Sequence, residues 1–416
     1  MSIELTTLAT GLRVVTETIP GALAVSAGAW VAVGSRDEPA ELSGVSHFLE
    51  HLLFKGTATR SARGIAEAVD LVGGEMNAFT TKEATAYYVR LPAPHVGVGL
   101  EILGDVLTRP SLKDADVESE RHVILEELAA DEDAPDDRAH VLTFESLFPD
   151  HPLGRETAGC PDTVGRVTPD DVRSFFGRWY RPATMVVAVA GPNGHDEMVA
   201  AVERSFPFEG DAGQRPERKP PDDAVRPLAV LRRRNEQAHL VLGFRGPDRD
   251  DPDRESLDVL NHTLGGGMSS RLFEEVRERR GLAYNVFSAP SSYSDAGTLS
   301  VYAGTSASHV QEVLDVIDGE LSRMIEHGLS ADELNIAVGY LTGSFVLGLE
   351  DTGSRMSRIA GHVMARGYVR PVDEQIERYR AVTRDDIIRV AARVLSGPRT
   401  LTAVGPVTKK SLQARR

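Results

Sequence analysis

Two histidines four residues apart, His47 and His51, with Glu50 between them, form the group in this sequence whose types and spacing point most directly to chemistry. They lie in SGVSHFLEHLLFK, residues 43–55, where Val45, Phe48, Leu49, Leu52 and Leu53 recur at helical spacing and predict a buried stripe. Residues i and i+4 leave a helix on one face, so both imidazoles can meet a single cation, with Glu50 beside them as a carboxylate able to move a proton. The order His-x-x-Glu-His inverts the commoner zinc-peptidase motif. A catalytic zinc takes three protein ligands and keeps one position open, so a further ligand must come from elsewhere. The stretch DVESERHVILEELAADED, residues 116–133, reads as an acidic helix with Val117, Val123, Ile124 and Leu128 on its apolar face. Glu120, Glu126 and Glu127 are its candidates, and Glu120 and Glu127 share a face, two turns apart.

The elements that position these groups are written twice. VTPDDVRSFFGRWYRPATMVVAVAGP from Val167 resembles VTRDDIIRVAARVLSGPRTLTAVGP from Val382. Each predicts a helix capped by Thr168 or Thr383, acids in the first turn, then an apolar β-branched run closing on Gly-Pro. In the second half, strands are expected near 238–245 and 298–304 and long helices near 310–326 and 332–349. The segment GDAGQRPERKPPDDAVRP is rich in proline and charge with no apolar period, and reads as a linker. The expected organisation is an N-terminal domain at 1–210, a linker at 211–226 and a homologous C-terminal domain at 227–416. At the repeat offset, His47 falls on His262, Glu50 on Gly265, His51 on Gly266 and Glu127 on Thr342, so the second copy lacks the ligand set.

Composition narrows the classes. The 416 residues suit two or more domains with sizeable cores. The balance of 46 Lys plus Arg against 62 Asp plus Glu, net -16, argues against a dedicated nucleic-acid binder. No apolar run approaches the ~18 residues of a membrane span, so no membrane is expected as a partner. The N-terminus carries no export pattern and the single Cys160 cannot form an internal disulfide, which suits a reducing cytoplasm. Cys160 itself reads as an ordinary loop residue. The acid-rich stretch 118–137 reads as solvated surface, with attraction of basic peptides as the alternative.

These motifs resemble the pitrilysin and insulysin family of inverzincin zinc peptidases, in the half-length branch related to processing peptidases. The resemblance covers nearly the whole chain: GVSHFLEHLLFKGT from Gly44, ERHVILEEL from Glu120 and HPLGRETAGC from His151 carry it. It implies an α+β fold of two homologous domains, each a mostly antiparallel β-sheet packed with helices. It implies one zinc ion per subunit, held by His47, His51 and Glu127, with Glu50 as general base and Glu120 as a carboxylate supporting the ligands. LVGGEMNAFTTKEATAYYVRL from Leu71 resembles the substrate-binding edge strand, where Asn77, Ala78 and Phe79 would pair with extended peptide. Taken as an ordinary hairpin, the same stretch would turn at Gly73-Gly74. In LGGGMSSRLFEEVRERRGLAYNV from Leu264, Arg277 and Tyr284 match positions that complete the active site from the second domain type. Heterodimeric relatives divide the metal and the glycine-rich loop between subunits. This chain carries both, which implies a homodimer whose partners complete each other's sites around a peptide substrate. A catalytically silent scaffold is the contrasting class, and the intact His47, Glu50, His51 and Glu127 set speaks against it.

Overall fold

In the computed structural model, which describes residues 2–413, the first half supplies β1 (Ser2–Thr7), β2 (Arg13–Thr18), β3 (Ala24–Val31), β4 (Glu75–Thr80), β5 (Thr85–Pro92) and β6 (Met185–Gly191). They form one sheet in the order β1-β2-β6-β3-β5-β4. The second half supplies β7 (Leu228–Arg232), β8 (Gln237–Gly246), β9 (Ala283–Ser292), β10 (Gly297–Ser306) and β11 (Arg399–Gly405), in the order β7-β11-β8-β10-β9. Apart from an added edge strand β1, the two orders are the same. In each sheet the pair contributed by the closing unit is parallel, β2 with β6 and β7 with β11, and the other pairs are antiparallel.

The duplicated closing units fold alike. The hydroxyls of Thr168 and Thr383 cap the helices Pro169–Trp179 and Arg384–Leu395 by accepting the N–H of Asp171 and Asp386. Each aspartate returns the bond, accepting its threonine's N–H at 2.9 Å. The helices expected in the second half are Val310–His327 and Ala331–Gly348.

The expected boundaries at 210 and 227 require correction. The chain divides into two units, Met1–Leu128 with Arg155–Arg218 and Val346–Arg370, and Ala129–Gly154 with Lys219–Phe345 and Pro371–Arg416; residues 1 and 414–416 lie outside the described ones. The physical reason is that each sheet has two apolar faces. Along β6 every residue is buried. Met185, Val187 and Val189 face a core with Phe48, Leu49 and Leu103. Val186, Ala188 and Ala190 face Met356, Ile359, Ala360 and Val363, the helically spaced stripe of Thr352–Arg366. The second sheet is covered in the same way by the first-half helix Pro135–Leu147, whose Ala139 packs with Val241, Tyr302 and Val404. Each half thus lends one helix to the other unit. Periodicity marks such a stripe as apolar without naming the sheet it covers.

Gly73-Gly74 is not the hairpin turn. It leads from the helix Ala62–Asp70 into β4, and the β4–β5 turn is Thr81–Ala84, closed by the Thr81 N–H on the Ala84 carbonyl at 2.7 Å. Among the described residues no helix is long and apolar enough to cross a membrane.

Candidate metal centre

The helix Val45–Leu53 buries Val45, Phe48, Leu49, Leu52 and Leu53 completely. That stripe fixes its rotation and leaves His47, Glu50 and His51 half-buried on the other side. Glu38 anchors its start. The Glu38 carboxylate accepts the N–H groups of Gly44 and Ser46, both at 2.7 Å, satisfying donors that a helix N-terminus leaves orphaned. Complete burial pushes the Glu38 carboxyl up to about 7, against the pull of these donors and of Arg155. Glu38→Ala strands two buried N–H groups, so a loss of about 2–4 kcal/mol in unfolding free energy is expected. The folded carboxyl binds its proton more tightly than an unfolded glutamate. This group's contribution therefore declines as pH rises from 4.5 through about 7, and the gap between wild type and variant narrows over that window. Denaturant unfolding across the range reads both effects.

The helix Asp114–Asp133 delivers the carboxylates. Its buried positions are Val117, Glu120, Ile124 and Leu128, whereas Val123, expected on the apolar face, is 42% exposed. Glu120 takes the place in the stripe that an apolar residue would hold. It is 3% exposed, and Lys55 pairs with its Oε1. Its Oε2 meets His51 Nδ1 at 3.2 Å, which directs His51 Nε2 to the other side of the ring. There Glu127 Oε2 lies 3.5 Å from His51 Nε2 and 3.9 Å from His47 Nε2. One ligand atom from each of His47, His51 and Glu127 lies within 4.8 Å of the others. Glu126 is exposed and outside this group. The remaining acids of the stretch, among them Glu118, Asp131, Asp133 and Asp136, are exposed on a solvated face.

The group fits a divalent ion. Tetrahedral coordination at about 2.0–2.2 Å sets ligand atoms roughly 3.3–3.6 Å apart, close to what the residues show, and two imidazoles with one carboxylate form a donor set that zinc accepts. Burial and the neighbouring His51 push His47 down to about 4, which keeps its imidazole neutral and able to donate a lone pair. His47 Nδ1 is buried without a hydrogen-bond partner. Glu50 is pushed up, chiefly by burial. Its Oε2 accepts a hydrogen bond from Thr80 Oγ1 at 2.6 Å. Thr80 and Glu38 are not reached by motif spacing. The only sequence signal for Thr80 is the alternation of β4, which sets it on the same face as Ala78.

Asn77, Ala78 and Phe79 lie in β4, the edge strand of the six-stranded sheet, opposite Tyr88, Tyr87 and Ala86. Asn77 and Phe79 are exposed. In the other unit, Arg277 lies in the short π-helical turn Phe273–Glu278 and Tyr284 in β9, where it is 77% exposed. The two side chains meet, the Arg277 guanidinium carbon standing 4.7 Å above the Tyr284 ring. His262, the repeat counterpart of His47, stacks on Tyr340 at 4.1 Å.

Residues 13–161 match the family described as insulinase, peptidase family M16, and residues 166–341 match the peptidase M16 inactive domain. An uncharacterized zinc protease of Streptomyces coelicolor is 44% identical, over 98% of this chain and 91% of its own. One of Bacillus subtilis is 37% identical, over 95% of this chain and 96% of its own. A peptidase M16 inactive domain from Pseudomonas fluorescens superposes with a TM-score of 0.90 at 19% identity, over 98% of both chains. A protease from Helicobacter pylori gives 0.89 at 23% identity, over 97% of this chain and 99% of that one. Both share the fold.

Proposed function

Because the chain belongs to the M16 insulinase family of peptidases, we propose that it is a zinc-dependent endopeptidase that cleaves peptides or unfolded segments in a chamber between two subunits. The observation that carries this reading is the convergence of His47, His51 and Glu127, with Glu50 one residue from a ligand. Zinc bound there, one ion per subunit, supplies Lewis acidity that polarises a scissile carbonyl and makes water a nucleophile near neutral pH. Glu50 acts as general base on that water and returns the proton to the leaving amine. Glu120 orients His51 through its contact with Nδ1. The free edge of β4 takes the substrate as an added strand, with main-chain bonds at Asn77, Ala78 and Phe79 supplying affinity and side chains little constrained. Arg277 and Tyr284 of a second, identical subunit bind the substrate carbonyl and steady the oxyanion. The lone Cys160 suits a reducing cytoplasm.

Metal removal tests the reading. The purified protein is expected to carry about one zinc per chain and to cleave an unstructured peptide. A chelator should abolish cleavage and added zinc restore it. Cleavage that persists in metal-free protein contradicts the reading.

A further inference from the structure

We propose that Thr80 is a positioning residue that holds the Glu50 carboxylate in its reactive orientation and ties it to the strand on which the peptide lies. This rests on the peptidase reading above. Thr80 Oγ1 donates to Glu50 Oε2 at 2.6 Å, a short hydrogen bond. Glutamate has three rotatable side-chain bonds, whereas threonine is β-branched and stiff at χ1, so the bond fixes a mobile group against a rigid one.

The strand that presents Thr80 is itself held. Alternation along β4 turns Met76 and Ala78 toward the core beneath the histidine helix and leaves Asn77 and Phe79 outside, so Thr80 faces inward at the strand's end. Its cross-strand partner Thr85 is buried and donates to the Val33 carbonyl at 3.0 Å. The hairpin tip is fastened to residues 35–36 by the Ser35 N–H on the Thr81 carbonyl at 3.1 Å and the Arg36 N–H on the Lys82 carbonyl at 2.8 Å. No side chain fits at Gly34, where a Cβ would stand 2.2 Å from the Thr81 carbonyl oxygen. This same segment runs on to Glu38, which holds the start of the histidine helix. One stretch of chain therefore locks the peptide-binding hairpin and the helix of Glu50 together, and the Thr80–Glu50 bond is the cross-brace between them. The base is oriented before a peptide arrives.

The test compares Thr80→Val, which keeps shape and branching without the donor, with Thr80→Ser, which keeps the donor. Both are made in the full-length zinc-loaded protein and assayed on an unstructured peptide, with zinc content and melting temperature measured. Thr80→Val should lower kcat by about 10- to 100-fold, part of the ~10² to 10⁴ that a positioned base supplies, with KM and zinc content little changed. Thr80→Ser should recover most of the rate. In a Glu50→Gln background, Thr80→Val should cost almost nothing, because the residue acts only through Glu50. If Thr80→Val does not fold, Thr80→Ala is read in the same way. An unaltered kcat in the donorless variant, a loss confined to KM, a serine variant as slow as valine, or an undiminished cost in the Glu50→Gln background overturns the assignment. A wild type that cleaves nothing instead overturns the peptidase reading itself, whereas a Glu50→Gln variant as fast as an active wild type removes Glu50 as the base and, with it, the role assigned to Thr80.

Discussion

Glu50→Gln is expected to lower kcat for peptide cleavage by roughly 10² to 10⁴ while leaving zinc content and KM close to wild type. The substitution conserves shape and removes only the capacity to take a proton. Glu50 lies on the buried-stripe helix beside His51, and its carboxylate is pinned by Thr80 at 2.6 Å. Glutamine can still accept that bond through its amide oxygen, so the variant should fold and bind metal normally. The loss should therefore appear at the chemical step and not in substrate affinity. Cleavage surviving in the purified variant would remove Glu50 from the mechanism. Mass spectrometry of the digested peptide distinguishes residual cleavage at the wild-type bond from a contaminating protease that cuts elsewhere.

The second large effect separates a ligand from its support. Glu127→Ala removes the carboxylate that lies 3.5 Å from His51 Nε2 and 3.9 Å from His47 Nε2, leaving two imidazoles and no anion. Zinc content after dialysis should fall to near zero and activity with it. Glu120→Gln acts differently. It keeps an acceptor for His51 Nδ1 but removes the negative charge, so zinc affinity should fall by about 10- to 100-fold and excess zinc should restore turnover. Titration with a competing chelator measures both. Equal losses in the two variants would mean that Glu120 and Glu127 are not divided into support and ligand.

Much of this was legible because it depends on local period. His47, Glu50 and His51 are set on one face by the 3.6-residue repeat, and the apolar residues between them say which face is buried. The Thr168 and Thr383 capping boxes follow from four-residue patterns, and their recurrence predicts two sheets of one topology. What escaped depends on contacts remote in sequence. The family resemblance names Glu120 as a supporting carboxylate but not its burial where hydrophobicity would place Val123, because His51 and Lys55 give it partners that no window of sequence contains. The helix Thr352–Arg366 is not among the elements expected from the sequence, and nothing local shows that its stripe completes the core of the other half. Glu38 holds a helix that begins seven residues after it, and Thr80 reaches Glu50 across thirty positions of chain.

X-ray diffraction from crystals of the zinc-loaded protein, collected on either side of the zinc absorption edge, tests the central claim most directly. The account predicts one anomalous peak per chain, within bonding distance of His47 Nε2, His51 Nε2 and the Glu127 carboxylate, with Glu50 outside the coordination sphere. A peak elsewhere, or a peak at this position to which Glu127 is not bonded, would contradict it.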